Sequence, residues 1–333
     1  MSNEAWEALS NQAVTGSGIV YFLAMVAHAG QWASLRRLPT DQSPPDQAAV
    51  LGRFGLLLTV VAACIHFVAL LSRGLAADPN RVPWGNMYEF TLSGTFMVAL
   101  VYLVLYRRYS LSWMAPWVVG FVFVTMMLAV VWLYEEVAPL TEALSSPWLV
   151  IHVVAAILAT GIFSLGGIVS VLYLVKSRSV EKARVPVTVG GGDGGDARVS
   201  EVPQSGILAR IPSLDALDRL SYRLHAFAFP VWTFAVLIAG PIWAHYAWSR
   251  YWGWDAKEVW AFITWVVYAA YLHARATAGW KGRKAAVVAL VGVATLWFNF
   301  IGINFFFGGN SQHSYAAPAE PVGVVENLVA SST

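Results

Sequence analysis

The chain reads as an all-α integral membrane protein, a polytopic bundle of about eight transmembrane helices with both termini on the outer face. Three observations predict this. Hydrophobic residues make up 58% of the chain and charged residues 12%, against ~25% charged in an ordinary soluble domain. Apolar segments near the ~20 residues that cross a bilayer recur eight times. No strand-sized alternation accompanies them, so helices must satisfy the backbone in hydrocarbon. Lys and Arg separate between alternate connectors, 17 of the 21 on one set and 4 on the other, and positive connectors stay cytoplasmic.

The first segment, 17–35, follows "MSNEAWEALSNQ", which lacks the basic start and small-residue cleavage site of a signal peptide, and runs into Arg36 and Arg37. The second, 52–76, contains His66 and Cys64; the third, 88–106, follows "VPWGNMYEF" and ends at Arg107 and Arg108. The fourth covers 113–134, and the fifth, 147–175, opens on "SSPWLVIHVVAA", which puts His152 just inside its outer start. Basic residues from Lys176 onward then lead into "RVPVTVGGGDGGDARVSEVPQSG", 184–206, whose Gly, Asp, Ser and Pro replace apolar periodicity. This is the composition of a disordered linker. A phosphate-binding loop is a poor fit, because the stretch has no G-K-[ST] and follows no strand. The chain thus divides into an N-terminal membrane half (1–175), a cytoplasmic linker (176–223) and a C-terminal membrane half (224–333).

In that last half the sixth segment, 224–246, begins at His225 beside basic residues, which reads as a solvated position. The seventh, 257–273, ends at His273, and the eighth, 285–307, leads to "FFFGGNSQHSY" with His313. Between the sixth and seventh lies "WSRYWGWDAKEVW", too many Trp for one interfacial anchor. Flat rings of this kind stack on a flat porphyrin, and Arg250 or Lys257 suits its propionates. Asp255 and Glu258, at a helix start, equally suit a capping role.

The lone cysteine excludes an intramolecular disulfide, a C-x-x-C thiol pair and covalently attached haem. His152 and His313 share the outer level of the tryptophans, a natural axial pair for haem iron, or else two interfacial histidines bonded to water. Fifteen residues separate His273 from Glu258, which at 1.5 Å per residue is ~22 Å of helix. His28 and His66 read as polar residues bonded within the bundle, and His245 as a reserve candidate beside the connector.

"WSRYWGWDAKEVWAFITWVVYAAYLHAR" resembles the WWD signature of the CcsA/ResC family, membrane proteins of the System II pathway of cytochrome c biogenesis. "VPWGNMYEF" is similar to the family's Pro-x-x-Asn-x-Tyr-Glu segment; His152 and His313 match its two external histidines, and His273 the histidine after the signature. The chain departs from the pattern at Ser249 and Ala256, where the family often has Gly and Pro. The resemblance implies a subunit of a cytochrome c synthase (haem lyase) complex, not active alone, in the plasma membrane with the signature on the outer face. Its cofactor would be haem b (iron protoporphyrin IX), held by Trp248, Arg250, Trp252, Trp254, Asp255, Glu258 and Trp260, with His152, His313 and His273 as iron ligands. Its partners would be a ResB/CcsB-type membrane protein, apocytochrome c carrying C-x-x-C-H, haem and membrane lipid, with no nucleic acid. A histidine from the partner would complete the site of His273. Two other classes fit the composition: an electron-transfer subunit of cytochrome b type, and a transporter that uses the tryptophans without coordinating iron.

Overall fold

The structure, a computed structural model, describes residues 1–36, 45–138, 146–183 and 207–307, and these are helical with no strand. The glycine-rich linker and His313 lie outside the described residues. Helices α1 (Asn3–Leu35) and α2 (Asp46–Ala76) pair along their length. α3 (Met87–Tyr106), α4 (Ala115–Trp132) and α5 (Pro147–Ala183) complete the first half. α6 (Leu214–Thr233) continues through a π turn, Phe234–Ala239, into α7 (Gly240–Trp248). After the tryptophan-rich connector come α8 (Ala256–Thr277) and α9 (Gly282–Trp297), the latter passing through a second π turn, Phe298–Gly302, into the short α10 (Ile303–Phe306).

Seven of these rods are long and apolar enough to cross a bilayer, which makes the protein a multi-pass membrane protein. α8 is the eighth rod of the bundle. Its 22 residues reach ~33 Å, and it packs against α6 and α9. Its apolar signal is diluted by Lys257, Glu258, His273 and Arg275 near its two ends.

α1 and α6 begin the furthest ahead of what hydropathy alone predicts, because capping and small-residue packing make helix without adding apolar character. α1 starts at Asn3, where the Ser2 hydroxyl accepts from the Ala5 N–H. Its buried face is small (Ser10, Ala13, Ser17, Gly18), which lets two backbones approach closely. The Ser10 hydroxyl reaches across to donate to the Ala69 carbonyl at 2.8 Å. α6 starts at Leu214 under a Ser213 cap. Its first turns are tied down by Asp218, which takes both guanidinium nitrogens of Arg275 at 2.8 and 3.0 Å and the Gly282 N–H at 2.9 Å. Lys176, on α5, donates to the Ile211 and Pro212 carbonyls at 2.7 and 3.0 Å.

That early start corrects the reading of His225. The residue is fully buried, three turns into α6, with ring contacts to Phe163, Tyr268 and Tyr271. Its Nδ1–H donates to the Ser221 carbonyl at 2.7 Å, and the absence of a side chain at Gly166 makes room for the ring.

At the opposite end of the bundle one carboxylate organises the first half. Glu89, fully buried in the first turn of α3, accepts from Arg73 Nε at 3.0 Å and from the Arg81 guanidinium at 2.6 and 3.1 Å. It also takes the Gly85 N–H at 2.7 Å. Arg73 meets Glu7 of α1 at 3.5 Å, lies over the Tyr88 ring and donates to the Glu135 carbonyl. The cluster therefore joins the ends of α1, α2 and α3 and the segment after α4. Two of the four basic residues on the sparse side are thus held internally by one acid.

Candidate functional site

A cleft opens beside the tryptophan-rich connector, between α5, the α6–α7 rod, α8 and the second π turn. Its lining includes His152, Trp243, Tyr251, Trp252, Lys257 and Glu258. Phe90 of α3 closes one side by packing on Phe300, ring centres 4.6 Å apart, so both halves of the chain contribute to the wall.

Each wall has a local cause. Pro241 lacks an N–H, and its ring would clash with a carbonyl one turn back. The rod widens into the π turn just before it. π turns inside α-helices are frequently found at functional sites, and here both line the cleft, the first through Val236 and the second through Asn299 and Phe300. The connector is closed by a capping box: Asp255 accepts from the Glu258 N–H at 2.9 Å, and Glu258 Oε2 takes the Gly253 and Asp255 N–H groups at 2.7 and 3.3 Å. Ser249 has φ +56° and terminates α7, in the left-handed region that glycine adopts without cost. Ala256 is the first residue of α8, where proline is favoured. Ser249 and Ala256 thus fall where the backbone itself favours glycine and proline.

His152 projects from the first turns of α5, and its Nδ1 lies 2.9 Å from the Ala235 carbonyl in the first π turn. A carbonyl only accepts, so Nδ1 carries the proton and Nε2 the lone pair. The ring stacks on Trp243 with centres 5.9 Å apart, and Trp243 in turn meets Trp248 at 4.8 Å. Trp252 packs edge-on against Phe262, and its buried Nε1 has no hydrogen-bond partner among the described residues. Asn299 Oδ1 is likewise buried without a partner. A donor and an acceptor left unpaired against one cleft carry a desolvation cost that a polar ligand removes.

The sequence-predicted residues divide into two groups. His152, Trp252 and Glu258 line the cleft. Trp248, Arg250, Trp254, Asp255 and Trp260 lie outside its lining: Trp248 backs Trp243, Trp260 packs on Phe298 at 4.3 Å, and the Arg250 guanidinium occupies the space beside Gly253. Trp254 is 72% exposed with φ +57°. Of the two candidate cations for an anionic edge, Lys257 lines the cleft and Arg250 does not. Sequence reasoning missed Asn299, Phe90 and Phe300; a π turn carrying asparagine beside apolar residues is a weak signal.

His273 is exposed near the far end of α8, which is unbroken, so its separation from the cleft stands. His245 is exposed and stacked on Tyr251 at 4.4 Å, outside the lining. His28 and His66 are buried in the α1–α2 half, and among the described residues neither ring has a hydrogen-bonded nitrogen. Among the described residues no three His, Cys, Asp or Glu side chains gather to hold a bare metal ion. Haem asks less of the chain, since the porphyrin supplies four nitrogens and the protein only axial donors. Among the described residues the α6–α7 rod alone carries two histidines, and one is enclosed while the other is exposed, unlike the paired ligands of a cytochrome b helix.

A family model described as cytochrome C assembly protein matches residues 84–309, which contain the whole cleft. The cytochrome c biogenesis protein CcsA of Trieres chinensis is 31% identical over 325 residues, covering 93% of this chain and 98% of that protein. CcsA of Pyropia yezoensis is 33% identical over 284 residues, covering 80% and 88%. Among solved structures, the cytochrome c haem lyase CcmF superposes with a TM-score of 0.56 over 91% of this chain at 15% identity, a likeness of fold. The chain spans about half of that lyase, 49% of its length.

Proposed function

The chain belongs to the cytochrome c assembly protein family, and within it to the CcsA proteins, so it serves in cytochrome c maturation; from that premise we propose that the cleft receives haem b as a substrate and presents it to apocytochromes carrying C-x-x-C-H. The observation that carries this reading is a tautomer-fixed histidine, His152, in one cleft wall with Trp243 and Trp252. Nε2 of His152 serves as one axial donor and His313 as the other. Trp243, Trp252 and Phe300 offer apolar faces to the ring, and Lys257 with the Trp252 indole N–H meets its carboxylates. Haem supplies the iron and the vinyl groups that end as thioethers; the chain holds, orients and shields it.

The remaining predicted residues act at one remove. Glu258 and Asp255 fix the start of α8, and Trp248 and Trp260 back the walls. His273, exposed at the other end, serves a second site completed by a histidine of a ResB/CcsB-type partner. The two membrane halves and the linker between them form one working unit in the plasma membrane, with the cleft facing outward. A reporter fused after Thr333 is then expected to be active only outside, and one inserted at Gly192 only in the cytoplasm. Reversed activities would turn the cleft inward.

Haem content of the purified chain, read by its Soret band with and without the partner, tests the substrate. Trp252→Ala is expected to lower haem per protein several-fold, since it removes a stacking face worth ~0.5–1.5 kcal/mol beyond its area together with the indole donor. Trp254→Ala, at an exposed position, is expected to leave that ratio near normal. Equal effects of the two variants, or no Soret band in the wild type with its partner, refute haem as the substrate of this cleft.

A further inference from the structure

The first π turn and the His152 ring meet more closely than packing requires. The Ala235 carbonyl accepts the Gly240 N–H, the five-residue bond of a π turn, and also the His152 Nδ1–H at 2.9 Å. A carbonyl oxygen has two lone pairs, so both bonds are made at once. A Cβ placed on Gly240 would stand 3.1 Å from that oxygen and 3.1 Å from two atoms of the imidazole. The ring therefore lies against the bare backbone of Gly240, and it also stacks on Trp243 at an interplanar angle of 15°. Pro241, next in the chain, cannot donate to any carbonyl behind it.

We propose that this π turn is a positioning device for His152. The Ala235 carbonyl fixes the tautomer, Gly240 provides the space, and Nε2 becomes the nitrogen offered to the iron of the substrate. Ala235 lies outside the cleft lining and Gly240 is part of it; both act here as positioning residues, through the His152 ring. The proposal rests on the haem reading of the cleft. It assigns a role to a helix irregularity that would otherwise be an unrewarded loss of α-helical hydrogen bonding. Outer-shell groups that orient a ligating histidine are typically worth 10- to 100-fold in affinity.

The test is haem titration into the purified full chain and into Gly240→Ala, Gly240→Val and His152→Gly, reading affinity and the spin state of bound haem. Gly240→Ala gains ~1 kcal/mol of helix propensity against the crowding of its Cβ at 3.1 Å, so a merely structural role predicts a change confined to thermal stability, with unchanged haem affinity. The positioning role predicts about a 10-fold or greater fall in affinity for Gly240→Ala and a larger fall for Gly240→Val. High-spin haem should increase in both, and added imidazole should return it to low spin. If Gly240→Val does not accumulate, the alanine variant decides. Wild-type affinity and spin state in Gly240→Ala, beside a clear loss in His152→Gly, would overturn the positioning role alone. No loss in His152→Gly would overturn the ligand reading and the device with it.

Discussion

Glu89→Ala is expected to cost about 3–5 kcal/mol, the range for removing one partner of a buried ion pair, and to deplete the protein from the membrane. Glu89 is the shared acceptor of Arg73 and Arg81, and Arg73 is 0% exposed. Without the carboxylate, the salt bridge that Arg73 keeps among the described residues is the longer one to Glu7, at 3.5 Å. The Gly85 N–H loses its acceptor too, and with it the fold of the segment that leads into α3. Such a loss is a large share of the 5–15 kcal/mol by which a folded protein is stable. Membrane abundance and the thermal midpoint in detergent measure it. Glu89→Asp, which keeps the charge on a shorter stem, should fall between the two. A midpoint for Glu89→Ala near wild type would show that the cluster is dispensable for folding.

How much of this was legible in the sequence depended on how local the cause was. The spans were legible because apolar length is a local property. The helix start at Ala256 was legible as well, since Asp255 and Glu258 sit three apart in the spacing of a cap. The Glu89 cluster was not, because its members come from α1, α2, α3 and the loops that follow, and nothing in "VPWGNMYEF" announces which arginine it will meet. His225 was misread for a related reason: apolar counting began α6 ten residues late, and a histidine thought to be at a helix start was three turns inside one.

The cleft shows the same division. Charge alternation brought the start of α5, the connector and the end of α9 to one end of the bundle, so His152 and Trp252 were found together. Trp252 faces the cleft and Trp254 does not, within a turn that holds the left-handed residues Ser249 and Trp254, whose φ values belong to the folded turn. The choice of Lys257 over Arg250 follows from that same turn, which folds the Arg250 guanidinium back onto Gly253. The π turns were invisible, although Pro241 was a clue to one of them.

The largest functional effect is expected from His152→Gly. Removing the imidazole costs the fold little, about 1 kcal/mol for glycine in a helix and about 1 for the lost hydrogen bond to Ala235, so the protein should remain in the membrane. What disappears is Nε2, held in the cleft wall by Ala235, Gly240 and Trp243. Cytochrome c maturation, scored as covalent haem on a reporter apocytochrome, should fall by at least the 10- to 100-fold that orienting groups alone are worth. Added imidazole is small enough to enter the vacated space and should restore part of the activity. His245→Gly is the matched control: that ring is exposed and outside the cleft lining, and it meets the cleft through the Tyr251 ring on which it stacks, so its loss should cost maturation far less than that of His152. Normal maturation and haem occupancy in a His152→Gly, His313→Gly double variant would remove both residues from the iron and leave His152 as a histidine that does no more than tie α5 to the π turn.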